Sequence, residues 1–184
     1  MRSTKTKIIA LTGRRGVGKT LLSNYLIESR DYQDIQKLSF AHDLKYLADK
    51  VFEGVTDGPK EKAYSPFEWT HREFLVDFGN LIRKYDPLYW IRQVEEYTHD
   101  EEITIIDDLR YPDEYKALRK WGATIIRIER NTTPYDGNTK LKLQDSESHI
   151  GKFKVDYTIT AKQNQTREGL FRAGDGIFKQ IMGM

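Results

Sequence analysis

The sequence predicts an α/β chain, a parallel sheet flanked by helices, and three observations carry that prediction. Short apolar runs such as Ile8-Ile9-Ala10-Leu11, Ile103-Thr104-Ile105-Ile106 and Ala123-Thr124-Ile125-Ile126-Arg127-Ile128 have the length and β-branched content of buried strands. Stretches with apolar residues at helical spacing alternate with these runs, as they do in parallel sheets built from strand–helix–strand units. The first run leads through Gly13-Arg14-Arg15-Gly16-Val17-Gly18-Lys19-Thr20 into Leu21, Leu22, Tyr25 and Leu26, which suit one face of a helix. Strand, Gly-rich turn and helix in that order form the setting of a phosphate-binding loop.

Each residue type in that loop has a chemical reason. Gly13 and Gly18 bracket it at the required spacing, and Gly16 adds a further flexible point. Backbone without side chains turns its N–H groups inward around phosphate oxygens, and the helix that follows presents its positive dipole end to the same anion. Lys19 is expected to reach the β- and γ-phosphates and Thr20 to offer its hydroxyl to Mg²⁺, with Arg14, Arg15 and Val17 completing the cradle. The expected ligands are therefore ATP and Mg²⁺.

The remaining elements follow in order. Residues 29–34 form a polar turn, and 35–41 alternate apolar and polar as a second strand. Leu44, Leu47, Ala48, Val51 and Phe52 return to helical spacing, with Asp43 near the helix start. Residues 54–66 are loop-like. A long helix is expected over about 66–86, its apolar face made by Phe67, His71, Phe74, Leu75, Phe78 and Ile82. Arg72 and Arg83 lie about three helical turns apart, so they can share a face. Pro87 opens a further helix lined by Leu88, Trp90, Ile91 and Val94.

The run from Ile103 ends in Asp107 and Asp108, as a Walker B-like strand does where it approaches a nucleotide-bound metal. Alternation points only one of the two carboxylates into a site, and the sequence leaves open which. Asp107 is taken with Thr20 as the metal-side pair. A turn through Arg110-Tyr111-Pro112, a short helix ending at Gly122, and a strand over 123–128 come next. The polar stretch 129–151 is long for a plain connection and reads as either a functional flap or a disordered loop. A last strand over 155–160 and a closing helix over 165–181 complete the chain.

Composition excludes several classes. The 184 residues suit one domain, and 38% hydrophobic with 32% charged residues is the balance of an ordinary soluble globular protein. A net charge of +2 gives no support for a polynucleotide groove. With no cysteine there is no disulfide, thiol nucleophile or cysteine metal site. His42, His71, His99 and His149 lack metal-ligand spacing. No run is long enough to span a membrane and none resembles a signal peptide, so cytoplasmic residence is the default. An Asn-Lys-x-Asp guanine signature is absent. Arg14, Arg15, Arg72, Arg83, Arg110, Arg127 and Arg130 recur beside the predicted elements, and phosphoryl transfer needs such charge neutralisation more than covalent catalysis. Phe40, Trp69, Phe74, Phe78, Tyr85, Tyr89 and Trp90 are mostly expected in the core, though any could stack on a base.

Four stretches together resemble the deoxynucleoside monophosphate kinases, a P-loop kinase family often encoded by phages. They are the loop itself, Ser39-Phe40-Ala41 with Leu44-Lys45, the series Arg72, Leu75, Gly79, Arg83 and Trp90, and Asp108-Leu109-Arg110-Tyr111-Pro112-Asp113-Glu114, the most specific of them. Ser146-Glu147 and Asp156-Tyr157-Thr158-Ile159 are similar to later steps of the family pattern. The sequence departs from that pattern at His42-Asp43, Val76 and Asn80, which leaves the base preference open. The resemblance implies a nucleoside-monophosphate-kinase-like P-loop NTPase fold in a single domain over 1–184, with an acceptor-binding helical region at about 41–100 and a lid at about 130–150. It implies transfer of the ATP γ-phosphoryl to a deoxynucleoside 5′-monophosphate, giving the diphosphate and ADP. Lys19, Asp108, Arg110 and Arg130 are then the catalytic candidates, and Lys45, Arg72, Arg83, Trp90, Asp108 and Arg110 the substrate-binding ones. Arg127, Lys140 and Lys142 would join Arg130 in closing on the donor. The partners implied are ATP and a deoxynucleoside monophosphate, without polynucleotide or membrane, in a host cytoplasm if phage-encoded; a homodimer stays open. Two alternatives are another P-loop small-molecule kinase, acting on a nucleoside or a coenzyme precursor, and a nucleotide-binding ATPase switch module.

Overall fold

The computed structural model describes residues 6–29, 34–56, 69–98, 101–130, 148–161 and 166–184. In chain order the elements are β1 (Lys7–Thr12), α1 (Lys19–Glu28), β2 (Ile35–Leu38), α2 (Ala41–Val51), α3 (His71–Tyr85), α4 (Tyr89–Tyr97), β3 (Ile103–Leu109), α5 (Pro112–Lys120), β4 (Thr124–Arg130), a short 3₁₀ turn (Ile150–Lys152), β5 (Tyr157–Ala161) and α6 (Arg167–Met182). They group into two compact units, Met1–Leu38 with Thr98–Met184, and Ser39–Tyr97.

The first unit is a five-stranded parallel sheet in the order β2-β3-β1-β4-β5. Its central strand is β1, whose residues Ile8 to Leu11 are buried, as the unbroken apolar run requires of a strand covered on both faces. Ile9, Leu11, Leu22, Leu26, Ile105, Ile126, Leu170 and Phe178 form one core with at most 1% exposure each. Each such side chain contributes about 1.5–3 kcal/mol relative to leaving it in water. Tyr25 of α1 stacks on Phe171 of α6 with ring centroids 4.1 Å apart, so the first and last helices of this unit pack together. The expected α/β class, a parallel sheet flanked by helices, is the observed one.

The second unit consists of α2, α3 and α4. Ala48, Trp90, Ile91 and Val94 are buried in it, and Trp69, Phe74 and Phe78 form a half-buried stacked series. Thr70 caps α3: its hydroxyl accepts the Glu73 N–H at 3.2 Å, while Glu73 Oε2 accepts the Thr70 N–H at 2.7 Å. The Thr70 N–H first, and then the Thr70 hydroxyl, which donates to the same Oε2 at 2.9 Å, hold the Glu73 carboxyl below its usual range.

Several boundaries differ from expectation. The second strand stops at Leu38 rather than 41, because the Ser39 hydroxyl accepts the Ala41 N–H at 3.2 Å and its carbonyl accepts the His42 N–H at 3.0 Å, turning the chain into α2. The capping box starts α3 at His71, not near 66. Strand β4 runs on to Arg130, two residues beyond Ile128. Val51, expected on the apolar face of α2, is 56% exposed. Most of the expected lid, with Lys140, Lys142, Ser146 and Glu147, lies outside the described residues, as does Phe67. Among the described residues no helix is long and apolar enough to cross a membrane.

Candidate active site

The sheet register sets the site. Thr12 at the end of β1 pairs with Leu109 of β3 on one side and Arg127 of β4 on the other. The loop beginning at Gly13 therefore leaves the sheet between Arg110 and Ile128, at the carboxyl ends of three adjacent parallel strands. Crevices at such strand ends hold the ligands of open α/β sheets.

Glycine is required where the loop departs. Gly13 has φ +146°, and a Cβ there would meet the Ile128 carbonyl oxygen at 2.4 Å. Gly18 has φ +106° immediately before α1. That helix has no capping side chain and no acidic residue in its first turn, in contrast to the capped α3. Its positive end is thus left to an anion. Val17 is buried in the core and anchors the loop, while Arg14 and Gly16 are exposed, Arg15 half-buried and Thr20 exposed. Lys19 is 8% exposed, and its ammonium donates to the carbonyls of Gly13 at 2.7 Å and Arg14 at 3.0 Å. The cation is held across the mouth of the loop.

The two aspartates are separated by a bulge rather than by plain alternation. Ala10 pairs with Ile106 but Thr12 pairs with Leu109, so Asp107 and Asp108 together oppose Leu11. A bulge re-aims side chains beside a site. Asp107 is 5% exposed and turns toward α1, where its Oδ2 accepts from Ser23 Oγ at 3.1 Å and pairs with Lys37 Nζ at 3.0 Å. Ser23 Oγ also lies 3.0 Å from the Thr20 carbonyl, which links Asp107 to the first turn of α1. Asp108 is half-buried at the strand end.

After β3, Glu114 shapes the turn that carries Arg110. Glu114 is 3% exposed, and its Oε2 accepts the N–H of Arg110 at 2.9 Å and of Tyr111 at 3.0 Å. On the other side of the loop, β4 ends at Arg130, whose Nε is buried without a hydrogen-bond partner. The Arg127 guanidinium donates to the carbonyls of Ile150 and Phe153 and so fastens the chain ahead of β5.

The structure thus brings together the loop, Thr20, Asp107, Asp108, Arg110 and Arg130 in the first unit. Lys45, Arg72, Arg83 and Trp90 belong to the second. Lys45 is exposed on α2, and Arg72 and Arg83 are half-buried on α3. Trp90 corrects an expectation: it is 1% exposed and its Nε1 donates to the Gly79 carbonyl at 3.3 Å, which makes it a core residue rather than a surface for a base. Sequence reasoning passed over Ser23, Lys37 and the role of Glu114. Only Glu114 had a signal, its place three residues after Tyr111 at the start of a helix.

Thr20 and Asp107 carry oxygen donors of the kind Mg²⁺ takes. Among the described residues no group of three or more His, Cys, Asp or Glu could hold a metal. Mg²⁺ in nucleotide sites is held by one or two protein oxygens, with phosphates and water completing its octahedron, and Thr20 with Asp107 supply such a set.

No family model matches the chain, and no curated protein matches it. Solved structures do. The tunicamycin resistance protein of Deinococcus radiodurans superposes with a TM-score of 0.53 at 14% identity, over 96% of this chain and 95% of that one. Dephospho-CoA kinase from Campylobacter jejuni gives a TM-score of 0.50 at 11% identity, over 96% of this chain and 98% of that one. At these identities the likeness is one of fold. The shared fold is a parallel sheet flanked by helices, and in this chain its central strand leads into the glycine-rich loop.

Proposed function

We propose that this protein is a deoxynucleoside monophosphate kinase, which moves the γ-phosphoryl of ATP to the 5′-phosphate of a deoxynucleotide. The observation that supports the reading most strongly is the glycine loop at the centre of the sheet, flanked by an uncapped helix and a half-turn carrying Arg110. The loop N–H groups hold the donor phosphates. Lys19 leaves the Gly13 and Arg14 carbonyls for the phosphate oxygens, a short move of a flexible side chain. Thr20 and Asp107 would hold Mg²⁺, which would neutralise charge on the donor phosphates. Arg110 and Asp108 orient the transferred and acceptor phosphates, and Arg130 approaches the donor from β4. In the second unit Arg72, Arg83 and Lys45 recognise the acceptor, guanidinium suiting a phosphate through paired hydrogen bonds. An acceptor phosphate is already anionic, so no strong general base is needed; placing two phosphates in line and excluding water does the work.

One neighbour of like fold is described as a dephospho-CoA kinase, and this supports a second reading, a P-loop kinase for a coenzyme precursor or nucleoside. A third reading, an ATPase switch, predicts slow hydrolysis without any acceptor. Coupled ADP production with ATP and Mg²⁺ separates the three, run against dAMP, dGMP, dCMP, dTMP, modified deoxynucleotides, the matching ribonucleotides, nucleosides and dephospho-CoA. Strong stimulation by one or a few deoxynucleoside monophosphates, abolished in folded Lys19→Ala, is expected. Stimulation only by nucleosides or dephospho-CoA would refute the acceptor assignment, and unchanged turnover in Lys19→Ala would refute the loop's role.

A further inference from the structure

The buried carboxylate of Asp107 has an unequal set of partners. Its Oδ2 faces Ser23 Oγ at 3.1 Å and Lys37 Nζ at 3.0 Å. A serine hydroxyl carries one hydrogen, and the Thr20 carbonyl, 3.0 Å from the same Oγ, competes for it. Lys37 has three hydrogens. It spends one on Asp107 and another on Asn24 Oδ1 at 2.9 Å, so the ammonium is pinned between β3 and α1. Lys37 comes from β2, an edge strand, and its side chain is 30% exposed while that of Asp107 is 6% exposed. A long side chain thus reaches in from the sheet edge to a carboxylate that would otherwise be a buried, uncompensated charge.

We propose that Lys37 is a counter-ion built into the nucleotide site, supplying at Asp107 part of the positive charge that a divalent cation would otherwise bring, so that it sets how strongly nucleotide binding depends on that cation. The inference rests on the reading of the loop as an ATP site with Asp107 on its metal side. With Lys37 in place, phosphates entering the loop meet a neutralised carboxylate even without a metal. Without Lys37, the bare carboxylate repels the phosphates, and the cation alone makes up the difference. The contacts of the Lys37 ammonium are with Asp107 and Asn24, so it is a positioning residue that acts through Asp107.

The test is calorimetric titration of ADP into the full chain, with Mg²⁺ and with a chelator in its place, for wild type, Lys37→Met and Lys37→Arg. The quantity read is the ratio of the metal-free to the Mg²⁺ dissociation constant. It is expected to rise on the order of tenfold in Lys37→Met, the scale of a single close charge near a protein surface, and to stay near wild type in Lys37→Arg. Adding Asp107→Asn to Lys37→Met should bring the ratio back down, which a merely structural lysine would not do. Lys37→Gln gives the same reading should Lys37→Met fail to fold by circular dichroism. An unchanged ratio in the charge-removing variant overturns the proposal while leaving the kinase reading intact. Wild-type protein that binds no ADP under either condition overturns both.

Discussion

Replacing Glu114 by Ala removes a single carboxylate oxygen that accepts two backbone N–H groups, those of Arg110 at 2.9 Å and Tyr111 at 3.0 Å. The site is well shielded, Glu114 being 3% exposed, so water replaces those bonds poorly. Each hydrogen bond to a charged acceptor contributes about 1.5–3 kcal/mol, which places the cost at about 3–6 kcal/mol. For a chain of this length each kcal/mol lowers the melting temperature by about 2–4 °C, so the midpoint should fall by roughly 6–24 °C. Glu114→Gln keeps an oxygen for both N–H groups and loses only the charge, and should cost about half as much. Thermal unfolding followed by circular dichroism measures both variants. Turnover of Glu114→Ala, assayed well below its midpoint, should drop as well, because the turn that holds Arg110 has lost its tether. A midpoint within about 2 °C of wild type for Glu114→Ala would show that the carboxylate does not hold the turn.

Two further outcomes are expected. Gly13→Ala must fit a Cβ against the Ile128 carbonyl, which is backbone and has little room to retreat, at a φ that L side chains rarely adopt. It should lose about 2–4 kcal/mol of stability and most of its affinity for a fluorescent ATP analogue, and normal binding with a normal melt would contradict the assigned geometry. Glu73 has its carboxyl pKa lowered by the Thr70 N–H and then by the Thr70 hydroxyl, so its contribution is complete above the ordinary carboxylate value and is lost as pH falls through the lowered one. The difference in melting temperature between wild type and Glu73→Gln should therefore be largest near neutral pH and shrink toward zero in acid; a difference that grows in acid would have the wrong sign.

Where hydrophobic pattern decided the structure, the sequence was readable. The runs at Ile8 and Ile103 became the central strands because each is almost wholly apolar, and that pattern permits little besides burial on both faces. Gly13 to Thr20 announced the loop because every residue in it answers to one ligand chemistry. The misreadings came from local hydrogen bonds that no periodicity records. Ser39 ended β2 early through its own side chain, and Thr70 with Glu73 set the start of α3 inside a longer apolar stretch. Trp90 sat in a motif of binding candidates, yet one bond to the Gly79 carbonyl accounts for its indole N–H inside the core. Lys37 was invisible for a different reason. Its partner lies on a strand met only after the whole second unit, and pairing at that distance depends on strand order, not on neighbours in sequence.

Strand order also has a consequence for how the chain is made. Strand β1 carries the loop and stands at the middle of the sheet, yet Lys7 pairs with Ile103 and Ile9 with Thr124. As the chain emerges from the ribosome, β1 has no neighbour on either side until the whole of Ser39–Tyr97 has followed it. Ser39–Tyr97 is one continuous stretch and is complete earlier. Closing so wide a span is entropically slow. The loop, synthesised before the strands that flank it, is therefore among the last segments to be locked, and a chain that has not reached β4 has no Ile128 carbonyl against which to shape it.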